Sequence, residues 1–67
     1  MKLLLHATNA NESAINWLTK NNWSIKNGWL DCTRWISLFK KDCVQDFCLM
    51  MQEFTSVDLH FDKWKFE

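Results

Sequence analysis

The chain has 67 residues, 48% of them hydrophobic, with eight basic and eight acidic side chains and no net charge. That length fits one domain over 1–67 without a linker, and the balance excludes both the basic footprint of an ordinary nucleic-acid binder and the acidic excess of a DNA mimic. Five tryptophans and five phenylalanines supply the apolar area so short a chain needs, and more than one small core easily hides.

Residues 2–7, KLLLHA, read as a short apolar strand. Its Leu3–Leu5 run is too brief for a secretory signal, which needs roughly 7–15 apolar residues, and no stretch approaches the ~18 of a membrane span. Asn9, with Glu12 three positions on, predicts a capping box. The helix it opens covers about 10–20, with Ala14, Ile15 and Leu18 at helical spacing and Trp17 on the flank.

Asn27-Gly28 lies between two strand-like runs, Trp23–Lys26 and Trp29–Phe39. Asn-Gly favours a two-residue hairpin because both turn residues must adopt positive φ. The competing reading, one long helix over 29–54, is opposed by that turn and by Asp31, Cys32 and Thr33. Asp42 with Gln45 predicts a second capping box and a helix over about 43–54, burying Val44, Phe47, Cys48, Met51 and Phe54. Val57, Leu59 and Phe61 then alternate with Asp58, His60 and Asp62 in a closing strand.

Strand, helix, strand, strand, helix, strand is the β-α-β-β-α-β order of the ferredoxin-like fold. The expected architecture is α+β, a four-stranded antiparallel sheet with the first and third strands central and two helices on one face. The resemblance is architectural, and no family motif accompanies it.

The turn sets a register. Lys26 faces Trp29, Ile25 faces Leu30 and Trp23 faces Cys32, and paired residues share a side of the sheet. Trp23, Ile25, Leu30, Cys32, Ile36 and Leu38 thus fall on the core side. On the open side the reading collects Leu4 and a partner-binding set: His6, Lys26, Trp29, Trp35, Phe39, His60, Trp64 and Phe66. A bulge past Asp62 would invert the last two. A contiguous aromatic patch of that kind marks an interaction site, the alternative being that the C-terminal tail folds back and Trp64 covers Trp35.

Catalytic, cofactor and metal residues are not expected. His6 and His60 with Asp58 or Asp62 show no local zinc-ligand spacing. Cys43 starts a helix without a histidine near it in sequence. Asp42 and Asp46 suit a helix N-terminus, and one glycine cannot build a phosphate loop. Cys32, Cys43 and Cys48, an odd number without C-x-x-C, fit reduced thiols in a cytoplasm.

The expected function is therefore a non-catalytic interaction module. It would bind a protein partner, or its own twin as a homodimer, through the aromatic sheet face. Short proline-free chains of this genre include phage-encoded inhibitors of host proteins, such as anti-CRISPR and anti-defence factors. The alternative is a single-stranded nucleic-acid binder. RNA-recognition-motif domains stack bases on sheet aromatics, although the third strand here lacks their Lys/Arg-Gly-aromatic signature.

Overall fold

The computed structural model describes all residues, 1–67, as an α+β arrangement around a four-stranded antiparallel sheet. In chain order the elements are β1 (Leu3–Ala7), α1 (Glu12–Lys20), β2 (Ile25–Lys26), β3 (Trp29–Asp31), α2 (Val44–Thr55) and β4 (Phe61–Phe66). Two 3₁₀ segments, Thr33–Leu38 and Lys41–Cys43, join β3 to α2. The strands lie in the order β2-β3-β1-β4, so β1 and β3 are central and β2 and β4 are the edges.

The hairpin follows from two residues. Asn27 and Gly28 both have positive φ, 53° and 82°, as a turn matched to the right-handed twist of the strands requires. Lys26 pairs with Trp29 and Ile25 with Leu30, the register read from the turn. Across β1 the pairs are Leu4 with Asp31, Leu5 with Leu30 and His6 with Trp29.

Leu3, Leu5, Ala7 and Leu30 enter a core completed by Ala14 and Leu18 of α1, Phe47 and Met51 of α2, and Trp23, Cys32 and Leu59 between elements. Leu3, Leu5, Leu18, Leu30, Met51 and Leu59 are fully enclosed, each such burial stabilising the fold by about 1.5–3 kcal/mol.

The third strand is shorter than predicted. It ends at Asp31, because Asp31 Oδ1 accepts hydrogen bonds from the Thr33 amide (2.9 Å) and the Thr33 hydroxyl. An Asp side chain bound two residues on folds the backbone into a turn and removes it from the ladder. The Leu3 amide donates to Thr33 Oγ1, 3.2 Å, sealing the end of the strand. Trp35, whose amide donates to the Cys32 carbonyl at 2.9 Å, lies in the 3₁₀ helix Thr33–Leu38. Trp35 and Phe39 therefore leave the sheet. So do Ile36 and Leu38, and Leu38 is exposed.

The helix caps also differ from expectation. Asn11, not Asn9, caps α1, its Oδ1 accepting from the Ala14 amide at 2.9 Å. Asn9 instead clamps the approach to β4: its Nδ2 donates to the Asp58 carbonyl (2.7 Å) and its Oδ1 accepts from the His60 amide (2.8 Å). Asp42 falls inside the second 3₁₀ turn and does not cap α2, which has no side-chain cap. Phe47, Met51 and Thr55 are the buried stripe of α2, while the expected core residue Phe54 is 53% exposed.

The last strand begins at Phe61 and contains a bulge. Ala7 pairs with Phe61 but His6 pairs with Lys63, so Asp62 is the extra residue. One extra residue exchanges the two sides of everything after it. Trp64 pairs with Leu5 and Phe66 with Leu3, on the core side.

Gly28 has a further constraint. A Cβ there would lie 3.0 Å from His6 Nε2 and 3.3 Å from the Ala7 carbonyl oxygen at a φ of +82°. Gly28→Ala should therefore destabilise the fold by about 1 kcal/mol or more, seen as a lower denaturant midpoint with an unchanged m-value. An unchanged midpoint would mean that the turn is not formed as described.

Candidate functional site

The open side of the sheet is built by residues that alternate with the core. From β1 it receives Leu4 and His6, from the hairpin Lys26 and Trp29, and from β4 Lys63 and Lys65. Trp29 is half-buried near the middle. Lys65 Nζ lies 4.4 Å and Lys63 Nζ 5.6 Å from the centre of its ring system, within the range of cation–π attraction. The His6 ring meets Trp29 edge-on at 5.0 Å.

His6 is held from its other side. Its Nδ1 lies 2.7 Å from Asp62 Oδ1. An ionised carboxylate can only accept, so Nδ1 carries the proton. The hydrogen bond from His6 holds the Asp62 carboxyl below its ordinary range. The bulge residue and the open face are thus tied together by one contact.

Beside Trp29 the surface dips into a cup of about 240 Å³, lined by Lys2, Leu4, Lys26, Trp29, Asp31 and Lys65 among others. This is below the roughly 300–1,000 Å³ of small-molecule pockets. The cup has mixed charge. Asp31 enters it with Lys2, and Lys65 Nζ pairs with Glu67 Oε2 at 3.1 Å.

Of the predicted partner-binding set, His6, Lys26 and Trp29 meet on this face. His60 does not join them: it lies exposed in the loop before β4, its Nε2 3.6 Å from Asp58. Phe39, Trp64 and Phe66 lie on the opposite side. Phe39 packs edge-on against Phe47 (5.2 Å), Trp64 (4.9 Å) and Phe66 (5.6 Å), closing the end of the core between α2 and β4. Trp35 joins a second group, 4.6 Å from Phe54, which also contacts Trp23; the Arg34 guanidinium covers Trp23 at 4.1 Å. Trp35 Nε1 is buried there without a hydrogen-bond partner. The expected continuous aromatic patch is therefore replaced by one tryptophan among lysines.

The lysines had a signal in the sequence. Lys63-Trp64-Lys65-Phe66 alternates charged and aromatic residues, and the cheaper placement exposes the charges. Reading the strand as regular through Asp62 obscured it. No group of three or more His, Cys, Asp or Glu side chains is placed to share a metal ion, and no helix is long and apolar enough to cross a membrane.

Two measurements check this geometry. Burial pushes the Cys32 thiol up to about 12, while Cys43 is exposed. Iodoacetamide at pH 8 should modify Cys43 in the native chain and Cys32 only after denaturation; equal rates would contradict the packing. For Asp31, burial pushes the carboxyl up, but the Thr33 hydrogen bonds, with Lys2 and Arg34, pull it below 3.8 overall. Its contribution to stability is therefore complete above that value and lost as pH falls through the folded pKa. Asp31→Asn, which retains the turn's acceptor, should lower the melting temperature at pH 7 and flatten the wild-type decline below about pH 4. Parallel pH profiles would remove the Asp31 charge from the account.

Comparisons with protein-family models, with curated proteins and with solved structures return no match to this chain.

Proposed function

We propose that this chain is a non-catalytic protein-binding module that engages its partner through the open face of the sheet. Trp29 is the anchor, and Lys2, Lys26, Lys63 and Lys65 surround it. The observation that carries this reading is a half-buried tryptophan beneath two lysines on a face with no covering element. Tryptophan is enriched among residues that dominate interface energy, and a charged surround sets orientation and partner choice. The cup beside Trp29 suits one protruding side chain of a partner.

The topology supports a β-α-β-β-α-β reading of the ferredoxin-like kind. α1 joins β1 to β2 with β3 between them, and α2 joins β3 to β4 with β1 between them. That arrangement keeps helices off the open face. Pairing of this face with the same face of a twin is disfavoured, because an isologous contact would bring the lysines together. Single-stranded nucleic acid is the weaker reading. Asp31 and Glu67 share the cup with the lysines, and Trp29 alone is available for stacking where RNA-recognition sheets use two or three aromatics. A reducing cytoplasm suits the three free thiols. An inhibitor that occludes a host protein, as phage anti-defence and anti-CRISPR factors do, is the role such a module would fill.

The test is capture from a host lysate by wild type, Trp29→Ala and Lys65→Glu, with circular dichroism confirming equal folding. A specific partner should bind wild type, and each variant should lose about 30-fold in affinity, the equivalent of about 2 kcal/mol at an interface anchor. Retention of the partner by both variants would refute the reading. So would tight binding to oligothymidylate that falls steeply with salt.

A further inference from the structure

The two edges of the sheet are unequal. β2 contributes two residues, whereas β4 runs for six. Beyond β4 no strand or helix pairs with its backbone.

The direction of its free groups follows from the register. Lys2 and Glu67 exchange both backbone hydrogen bonds, at 2.7 and 2.9 Å. Antiparallel ladders alternate such pairs with pairs that exchange none. Leu4 with Lys65 and His6 with Lys63 are therefore bonded pairs, and Leu3 with Phe66 and Leu5 with Trp64 are not. The N–H and C=O of Trp64 and Phe66 consequently point to the outer edge, where none of the bonds outside the ladder reaches them. Such a row of unpaired groups is a template for another strand.

The side chains restrict which strand fits. Paired residues share a side of the sheet, so an added strand must set alternate residues against Lys63 and Lys65 and the others against Trp64 and Phe66. A second copy of β4 fails this condition. Every face-matched two-fold register long enough to pair both lysines sets a lysine against a lysine. Asp62 and Glu67 bracket the lysines, so carboxylates are favoured only at the two positions between them. Lys65 already pairs with Glu67, but that pair is exposed, and a strand fixed by backbone bonds can present a competing carboxylate.

We propose that the outer edge of β4 accepts an extended segment of a partner protein as a fifth strand, with acidic residues opposite Lys63 and Lys65 and apolar residues opposite Trp64 and Phe66. This rests on the reading of the open face as protein-binding, and it adds the conformation and residue pattern of the partner. The same lysines then serve both surfaces: they flank Trp29 on the face and select the strand at the edge.

The probe is a capped peptide alternating valine and glutamate over five residues, with threonine at each end, added to the full chain. Amide hydrogen exchange by NMR should show Trp64 and Phe66 exchanging quickly in the free chain and at least tenfold more slowly at saturation. The amides of Lys63 and Lys65, already in the ladder, should change little. The Lys63→Glu, Lys65→Glu double variant should lose at least tenfold in affinity and recover it with a peptide carrying lysine in place of glutamate. N-methylation of the two valines set opposite Trp64 and Phe66 should abolish binding.

Absence of binding overturns the proposal, as does binding that leaves the Trp64 and Phe66 amides unprotected. Protection that appears without peptide as protein concentration rises would also overturn it, because the occupant would then be a second copy. Oligothymidylate giving the same protection in place of the peptide would do so as well. If the peptide fails while Trp29→Ala still loses a captured partner, the edge is refuted and the open-face reading stands. If the edge is protected while Trp29→Ala keeps every partner, the reverse holds.

Discussion

β1 is paired along both sides, with β3 at Leu4–His6 and with β4 at Leu3–Ala7. In a strand successive side chains point to opposite sides, and hydrogen-bonded neighbours must agree with it. Once Leu3, Leu5 and Ala7 are buried, every residue across from them is committed to the core and every residue between them to the open face. Burial of these side chains thus decides the surface as much as the interior. Lys63 and Lys65 flank Trp29 because Leu5 and Leu3 claim Trp64 and Phe66 for the other side.

How far the sequence disclosed this depends on whether the deciding interaction is local. Asn27-Gly28 settles its own turn, so the pairing of Lys26 with Trp29 could be read directly. The inward stripe of α2 was legible at Phe47 and Met51 for the same reason, since helical spacing is a local property. Asp31 was harder. Its neighbours Trp29, Leu30 and Cys32 favour a strand, yet its own side chain captures Thr33 and stops the strand. Competition between a side chain and the ladder leaves only a weak mark in the sequence.

The remaining differences come from contacts distant in the chain. Asn9 had the right residue type and spacing for a cap, but it binds Asp58 and His60, and Asn11 takes the cap. Phe39 and Trp35 read as outward strand residues until the chain leaves the sheet and returns them to Phe47 and Phe54. Five tryptophans in a short chain suggested a sticky surface. Most of them instead extend a core that β1, α1 and α2 could not complete from aliphatic residues alone. Trp29 is the exception: it lies on the open face, with Lys63 and Lys65 over its ring.

The bulge at Asp62 also bears on how this chain can change over generations. Phe61 and Lys63 face consecutive residues of β1, Ala7 and His6, so Asp62 stands outside the alternation and its contribution is the carboxylate that it offers to His6. Substitutions along Lys63–Phe66 alter one contact at a time. A single-codon deletion at Asp62 would instead make the strand regular, keeping Lys63 and Lys65 on the open face and Trp64 and Phe66 on the core side while removing the carboxylate that holds His6. The bulge is therefore the one place in β4 where the chain can lose a residue without turning any later side chain to the other face.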